Sequence, residues 1–378
     1  MSDQPEALVA RSKNVRYLPG VDHLRGVAAV LMVVYHGVQQ IGHPQHPFPL
    51  AHNPLAALVI EGHTAVALFM VLSGFILTFG ADRAAVRYGG FMKNRVLRVV
   101  PMYLIVLVIG AYTFPGQYSF SGFLQYFTLQ ATAPLTSPEF GPFSAVLWTI
   151  SVEFAFYLVF PFLLRFLQRY GVRYLLGLLL LANVLRALAG ASNPATIGLT
   201  SYFTIVGRID QFVLGMLAAW LLRRGVLKLS GVRALAVTLA GLVGITMALW
   251  FYNRHGSFLG VARWKAHWPL VEGLAWALVV VGWVSFTEGR RGRVVRWLTL
   301  PGVVSYSAYL LHYPIVVAVR DRGWHLVGHG SLNAAALTVV FILPVTFAVA
   351  TLAYLVIERP FMELRVRYLD SSASTTSN

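Results

Sequence analysis

The chain has 378 residues, 57% of them apolar and only 12% charged, with a formal net charge of +16. Soluble domains carry about 25% charged residues, so this composition implies a polytopic membrane protein. The lack of cysteine excludes disulfides, thiolate nucleophiles, Cys-ligated zinc and iron–sulfur clusters. No aromatic–basic nucleic-acid module accompanies the positive charge, which reads as membrane-anchoring charge.

Residues 1–20 are polar and basic, with no cleavage site behind an apolar run, so the first apolar stretch is expected to remain as an anchor. Hydropathy then predicts ten helices, at 24–41, 54–80, 99–114, 145–164, 174–190, 202–222, 234–252, 268–287, 303–319 and 334–357. Each approaches or exceeds the ~20 residues a bilayer crossing needs. Residues 115–143, rich in Pro, Gly and aromatics, read as a long external loop with a re-entrant turn around Phe123–Leu129. The expected fold is an all-α polytopic membrane protein: one transmembrane domain over 21–363, then a polar, disordered tail over 364–378. There is no convincing internal repeat. Of the Lys and Arg residues, 23 fall on one side of this arrangement and six on the other, with Arg208 inside a span. By the positive-inside rule both termini are expected in the cytoplasm.

Ionisable side chains in lipid are costly and by default functional, so they carry the next step. Arg25 marks the cytoplasmic mouth of the first helix. His36 follows eleven residues later, roughly 16 Å on and almost a whole number of turns, so the two share a face. Glu153 in LWTISVEFAFY, Arg208 and Asp210 in IVGRIDQFVLGM and His312 in SYSAYLLHYP fall, like His36, at middle to outer depth. The economical arrangement is mutual pairing of these five around a polar cavity. Structural readings stay open: Arg208 and Asp210 are two apart, do not face each other, and could pair with other helices. Glu153 could be half of an ion pair, and His36 a satisfied packing histidine. Glu61 and His63 are expected at the outer mouth of the cavity.

On the cytoplasmic side, FMKNRVLRVVPMY brings Arg95 and Arg98 to Arg25's depth, three residues apart on one helix face. They read either as ordinary anchoring charge or as a phosphate clamp, to which planar guanidinium groups are suited. There is no GxSxG, HExxH or Walker A pattern. His43, His46 and His52 lie in a proline-broken external loop, so no metal site is expected. Ser73 in VLSGF reads as small-residue helix packing.

Taken in order, these motifs resemble the acyltransferase 3 family of integral-membrane acyltransferases. The family's Asp-x-Leu-Arg-Gly stretch and following histidine appear as Asp22, Arg25, Gly26 and His36 in VDHLRGVAAVLMVVYH. Its Phe-rich run ending in Leu-Ser-Gly-Phe appears as LFMVLSGFIL, and its Arg-x-x-Arg-x-x-Pro element as Arg95, Arg98 and Pro101. Trp148, Ser151 and Glu153 match Trp-x-x-Ser-x-Glu, and SYSAYLLHYP and the terminal IERP with Glu358 also match. Two positions depart: His23 stands where a small residue is usual, and Met70 interrupts the aromatic run.

The resemblance implies a stand-alone member, without a fused hydrolase-like domain, in a bacterial inner (cytoplasmic) membrane and in contact with its lipid. It implies an O-acyltransferase with no bound cofactor. The acyl group, commonly acetyl, would pass from cytoplasmic acyl-CoA to a hydroxyl of a sugar-containing acceptor: a surface glycan, a glycolipid or a glycosylated small molecule such as a macrolide. Arg25, Arg95 and Arg98 would hold the CoA phosphates. His36 would be the general base, with Glu153 orienting it or another group. Asp22, Arg208, Asp210, His312, Glu61 and His63 would complete the cavity. Two other classes compete: a transporter or flippase using the buried charges as a solute path, and a non-catalytic scaffold. Release of free CoA in the presence of acceptor separates an enzyme from both.

Overall fold

The computed structural model describes residues 13–14, 16–43, 49–117, 119–129, 141–290 and 292–370. The expected N-terminal segment, the loop 115–143 and the C-terminal tail are therefore described only in part, and His46 lies outside the described residues.

The described chain is almost wholly helical. Its helices are α1 (Pro19–Gly37), α2 (Pro54–Ile60), α3 (Ala65–Ala81), α4 (Tyr88–Thr113), α5 (Phe120–Phe127), α6 (Trp148–Tyr170), α7 (Val172–Ser192) and α8 (Ile197–Phe203). They continue with α9 (Ile205–Arg223), α10 (Gly231–Arg254), α11 (Trp268–Thr287), α12 (Arg293–Val303), α13 (Ser305–Asp321), α14 (Gly330–Leu337), α15 (Leu343–Ala353) and α16 (Arg359–Glu363). Two short strands, β1 (Ala85–Val86) and β2 (Leu369–Asp370), pair antiparallel. Apolar side chains such as Leu180, Val243 and Leu352 are exposed on the outside of the bundle, as lipid contact requires. The chain is an integral membrane protein.

Nine helical segments among the described residues are long and apolar enough to cross a membrane, and the pair α12–α13, bent by 60°, offers a tenth. Hydrogen bonding decides the count. Asn14 donates to the Val366 carbonyl at 3.0 Å and accepts from the Tyr368 amide at 2.7 Å, so the two ends of the described chain meet at one end of the bundle. An even number of crossings is required, and ten is the even number available. The β1–β2 pair, the Arg224–Asp82 ion pair at 3.3 Å and the Arg16–Glu288 ion pair at 3.6 Å gather further connections there. This is called the basic end below.

The element bounds differ from the hydropathy reading where polar groups intervene. The predicted span 54–80 is two helices, because the chain breaks at Glu61 to bury its carboxylate. The span 202–222 breaks at Thr204, whose extended backbone lets its hydroxyl cap the Gly207 amide at 3.1 Å. The third span starts at Tyr88, so Arg95 and Arg98 lie inside the helix. Hydropathy cut it at the last charge, whereas long basic side chains near a helix end can stay in the helix and reach outward. The last crossing runs Gly330–Glu363 and contains two π-helical turns, Thr338–Ile342 and Tyr354–Glu358.

In the loop region, α5 folds back along the bundle. The Tyr103 hydroxyl donates to the Tyr126 carbonyl at 2.7 Å. Tyr103 lies ten residues before the end of α4, or ~15 Å along its axis. Close helix packing sets the rest of the frame. A Cβ on Gly74 would run into the Phe212 backbone and one on Gly215 into that of Val71, so α3 and α9 touch at glycine.

Candidate active site

One face of α1 serves two cavities. Arg25 lines a cavity with Arg98, Ser73, Glu153 and Tyr157. His36 lines a second, more open one toward the opposite end. Val66 and Tyr309 belong to the walls of both. The eleven-residue spacing of Arg25 and His36 thus places one cation and one imidazole at successive levels of the bundle.

His36 is held by His312. Its Nδ1 lies 2.8 Å from His312 Nε2, and His312 Nδ1 lies 2.6 Å from the Tyr309 carbonyl oxygen. A carbonyl only accepts, so His312 Nδ1 carries a hydrogen. No carboxylate bonds either ring, so the neutral pair leaves the least unbalanced charge. In that pair His312 Nε2 is the acceptor and His36 Nδ1 the donor. The Met32 backbone also bonds the His36 ring; a carbonyl only accepts, so it meets the protonated Nδ1, and Nε2 keeps its lone pair. Tyr35 and Tyr313 flank the ring, at centroid distances of 4.6 and 4.9 Å.

Glu153 belongs to the other cavity. Its Oε1 accepts from the Ser73 hydroxyl at 2.6 Å and from the Tyr157 hydroxyl at 2.5 Å. The expected Glu153–His36 partnership is therefore not formed; the imidazole's orienting partner is His312, one helix away on α13. Ser73, read from the sequence as packing, is a hydrogen-bond donor to the carboxylate.

Arg208 and Asp210 do not face the cavities and do not pair with each other. Asp210 is bound by Arg186, and by Asn183 at 3.1 Å. Arg208 pairs with Glu272 at 3.1 Å, donates to the Tyr202 carbonyl at 2.7 Å, and stacks on the Tyr202 ring. All four charged groups are buried. The expected ring of five polar residues around one cavity is thus replaced by three separate groupings: Glu153 in the arginine-lined cavity, the two histidines, and the ion pairs of Arg208 and Asp210. The physical reason is that α7 and α11 supply partners for the charges of α9, leaving the histidines to each other.

Glu61 lies behind the opposite-end cavity rather than at its mouth. It accepts from Asn253 at 2.9 Å, from Ser257 at 2.7 Å and from His63 at 2.7 Å. His63 does line that cavity. Asp22 pairs with Arg25 at 3.6 Å at the basic end. Among the described residues no group of three His, Asp or Glu is arranged to hold a metal ion.

The basic end gathers more cations than the sequence motif names. Arg98 donates to the Met362 sulfur at 3.2 Å, and Arg365 Nε donates to the Met362 carbonyl at 2.8 Å. Arg95 lies over the Phe91 and Tyr157 rings, and its Nε is buried without a hydrogen-bond partner. Burial, then the like charges of Arg98 and Arg95, pull the Arg365 guanidinium down to about 10. Cations crowded this way favour an anion between them. In the sequence Arg365 falls among the charges of the basic side and Arg186 among the six of the other, while Glu272 is a lone acid in an apolar run, the same signal that singles out Glu153.

A model of an acyltransferase domain family matches residues 18–355. Among similar proteins, the acyltransferase MdmB of Streptomyces mycarofaciens is 27% identical, covering 92% of this chain and 92% of its own. The putative membrane-bound transacylase BcsY of Komagataeibacter xylinus is 26% identical over 92% of this chain and 83% of its own. The exopolysaccharide production protein ExoZ of Rhizobium meliloti is 29% identical over 80% and 90%. No solved structure matches the chain.

Proposed function

We propose a function from one established premise: the chain belongs to the integral-membrane acyltransferase 3 family. In our reading it is an O-acyltransferase of a bacterial cytoplasmic membrane. Its basic end faces the cytoplasm and takes acyl-CoA, with acetyl the expected acyl group. A sugar-bearing acceptor enters from the opposite end. ExoZ is named for exopolysaccharide production, which favours a glycan acceptor. So do the Trp148, Tyr202, Phe203 and Phe258 rings of the opposite-end cavity, since flat aromatic faces suit the C–H faces of a pyranose.

The observation that carries the reading is the open Nε2 of His36, in a wall that shares Val66 and Tyr309 with the arginine-lined cavity. Arg25, Arg98, Arg95 and Arg365 would bind the CoA phosphates, and the pantetheine arm would lead the thioester past Val66 and Tyr309. His36 Nε2 would take the proton of the acceptor hydroxyl as its oxygen attacks the thioester carbon. The C–O bond forms and the carbonyl electrons move to oxygen. The intermediate then collapses, the C–S bond breaks, and the imidazolium returns the proton to the CoA thiolate. His312 holds the tautomer that makes Nε2 the base. The transport reading has no comparable support, because the buried charges it needs are spent in pairs between α7, α9 and α11.

The test is to supply purified protein with acetyl-CoA and a glycan extract of the cell envelope. Free CoA should appear only with the extract, and mass spectrometry should find glycans heavier by one acetyl group. Movement of a solute without CoA release would overturn the reading. Single cysteines at Ser2 and Ser374 of this cysteine-free chain should resist an impermeant thiol reagent in intact cells, and labelling of either would reverse the orientation.

A further inference from the structure

We infer that Gln39 supplies the hydrogen-bond donor for the oxyanion of the acyl-transfer step, its amide polarity fixed by Arg320 through Gln40. The inference rests on the acyltransferase reading and names a group that reading leaves unassigned.

Two residues past His36, α1 passes into a π-helical turn, Val38–Gly42. Turns of this kind redirect side chains and often occur at functional sites. Gln39 and Gln40 both line the opposite-end cavity beside His36. Arg320, from the end of α13, donates to Gln40 Oε1 at 2.8 Å. A guanidinium cannot accept, so that atom of Gln40 is the carbonyl oxygen and the other end is the NH2. The NH2 donates to Gln39 Oε1 at 3.0 Å. Gln39 is therefore anchored by its oxygen, and its two N–H donors are left without a partner among the described residues.

The fixed polarity decides what this group suits. A sugar hydroxyl donates or accepts with equal ease, so an acceptor sugar would be served by either face of an amide. The thioester oxygen becomes an oxyanion that only accepts. It needs donors whose direction is set before the reaction, which is what preorganised electrostatic stabilisation requires. The tyrosine hydroxyls of the same cavity rotate and can present a lone pair instead. Gln39 stands three residues from His36, and both line the same cavity. The base and the donor can thus reach one reacting carbon: the acceptor oxygen attacks, the carbonyl electrons move onto the oxygen, and Gln39 Nε2 meets that charge. Arg320 and Gln40 are positioning residues.

The test compares Gln39→Ala, Gln39→Glu and Arg320→Met with wild type and with His36→Ala, in detergent. Acetyl-CoA is the donor and the envelope glycan extract the acceptor. Slow hydrolysis of acetyl-CoA by water is followed without acceptor. Hydrolysis passes through the same oxyanion but involves no sugar. Gln39→Ala should lower kcat on the order of 10²–10³-fold, lower hydrolysis by the same factor, and leave the acceptor KM nearly unchanged. Gln39→Glu keeps the shape, replaces the donors with acceptors, and should be at least as impaired. Arg320→Met frees the relay and should lower kcat less, again with the KM unmoved. A Gln39→Ala protein with near-wild-type kcat would overturn the inference. So would a loss confined to the acceptor KM with hydrolysis intact, which would make Gln39 a sugar-binding residue. An active His36→Ala protein would remove His36 as the base without touching the Gln39 result, since transfer with any base forms the same oxyanion.

Discussion

Two polar systems within this bundle differ in whether they open on a cavity. The first joins α7, α9 and α11 through Arg186–Asp210 and Arg208–Glu272, supported by Asn183, Gln211 and backbone carbonyls. Its charges are paired, Arg208 Nη2 and Glu272 Oε1 alone being buried without a hydrogen-bond partner among the described residues of the system, and none of its four charged residues lines either cavity described above. The second joins α1 and α13 through His36, His312, Gln39, Gln40 and Arg320, and it ends in groups with nothing to bind. Both are built from residues that lipid disfavours. The closed system reads as scaffold. The open one, with a lone pair and two N–H donors left over beside a cavity, reads as chemistry.

The largest expected effect is at His36. His36→Ala should lower turnover by ~10²–10⁴-fold, the usual contribution of a general base, while acyl-CoA binding and melting temperature stay close to wild type. His36→Asn keeps polarity and much of the volume but removes the basic nitrogen, and should be as inactive. Turnover near the wild-type rate in the Asn protein would erase the difference between the two systems. Next in size is the closed system. Arg186→Met leaves Asp210 charged and buried, which should cost about 3–5 kcal/mol of stability. Thermal unfolding in detergent should show the loss, and molecules that stay folded should keep their kcat. A stable but inactive Arg186→Met protein would move this pair into the chemistry.

A smaller effect is expected at the basic end. Arg98→Ala removes a charge-assisted contact to the CoA phosphates worth about 1.5–3 kcal/mol, which raises the acyl-CoA KM roughly tenfold to a hundredfold. The acceptor KM should not move. Equal shifts in both would mean that Arg98 supports the fold rather than the donor.

Much of this was legible in the sequence because lipid makes polarity conspicuous. The ten crossings, His36, His312, Glu153 and the arginine mouth all follow from placing charges against hydropathy. Partner choice was not legible, since depth along a helix says nothing of the azimuth of its neighbours. Glu153 and His36 have similar computed depths yet line different cavities, and Arg208 and Asp210 turn to helices whose own charges looked peripheral or went unread. Gln39 and Gln40 carry no charge, so hydropathy does not mark them, and the Arg320 that bonds Gln40 is distant by 280 positions.

The smallest expected effect concerns the wall between the cavities. Tyr309 lines both, and its carbonyl orients His312. Its hydroxyl lies 2.9 Å from Thr149 Oγ1 and 3.4 Å from the Val146 carbonyl. Thr149→Val keeps the side-chain outline and removes the hydroxyl's neutral contacts to Tyr309 and to the Val146 carbonyl, each worth about 0.5–1.5 kcal/mol. The Tyr309 backbone, and with it the His36–His312 pair, should stay in place, so turnover of acetyl-CoA should remain within about fivefold of wild type, the equivalent of about 1 kcal/mol. The ring, its hydroxyl left with the longer Val146 contact, should yield more easily. Longer acyl-CoA thioesters should then gain relative to acetyl-CoA in kcat/KM. A series of acyl chain lengths measured on both proteins reads this directly. An unchanged chain-length preference alongside a lowered melting temperature would mean that Tyr309 braces the bundle without setting the passage, and Val66 would remain as the shared residue to vary.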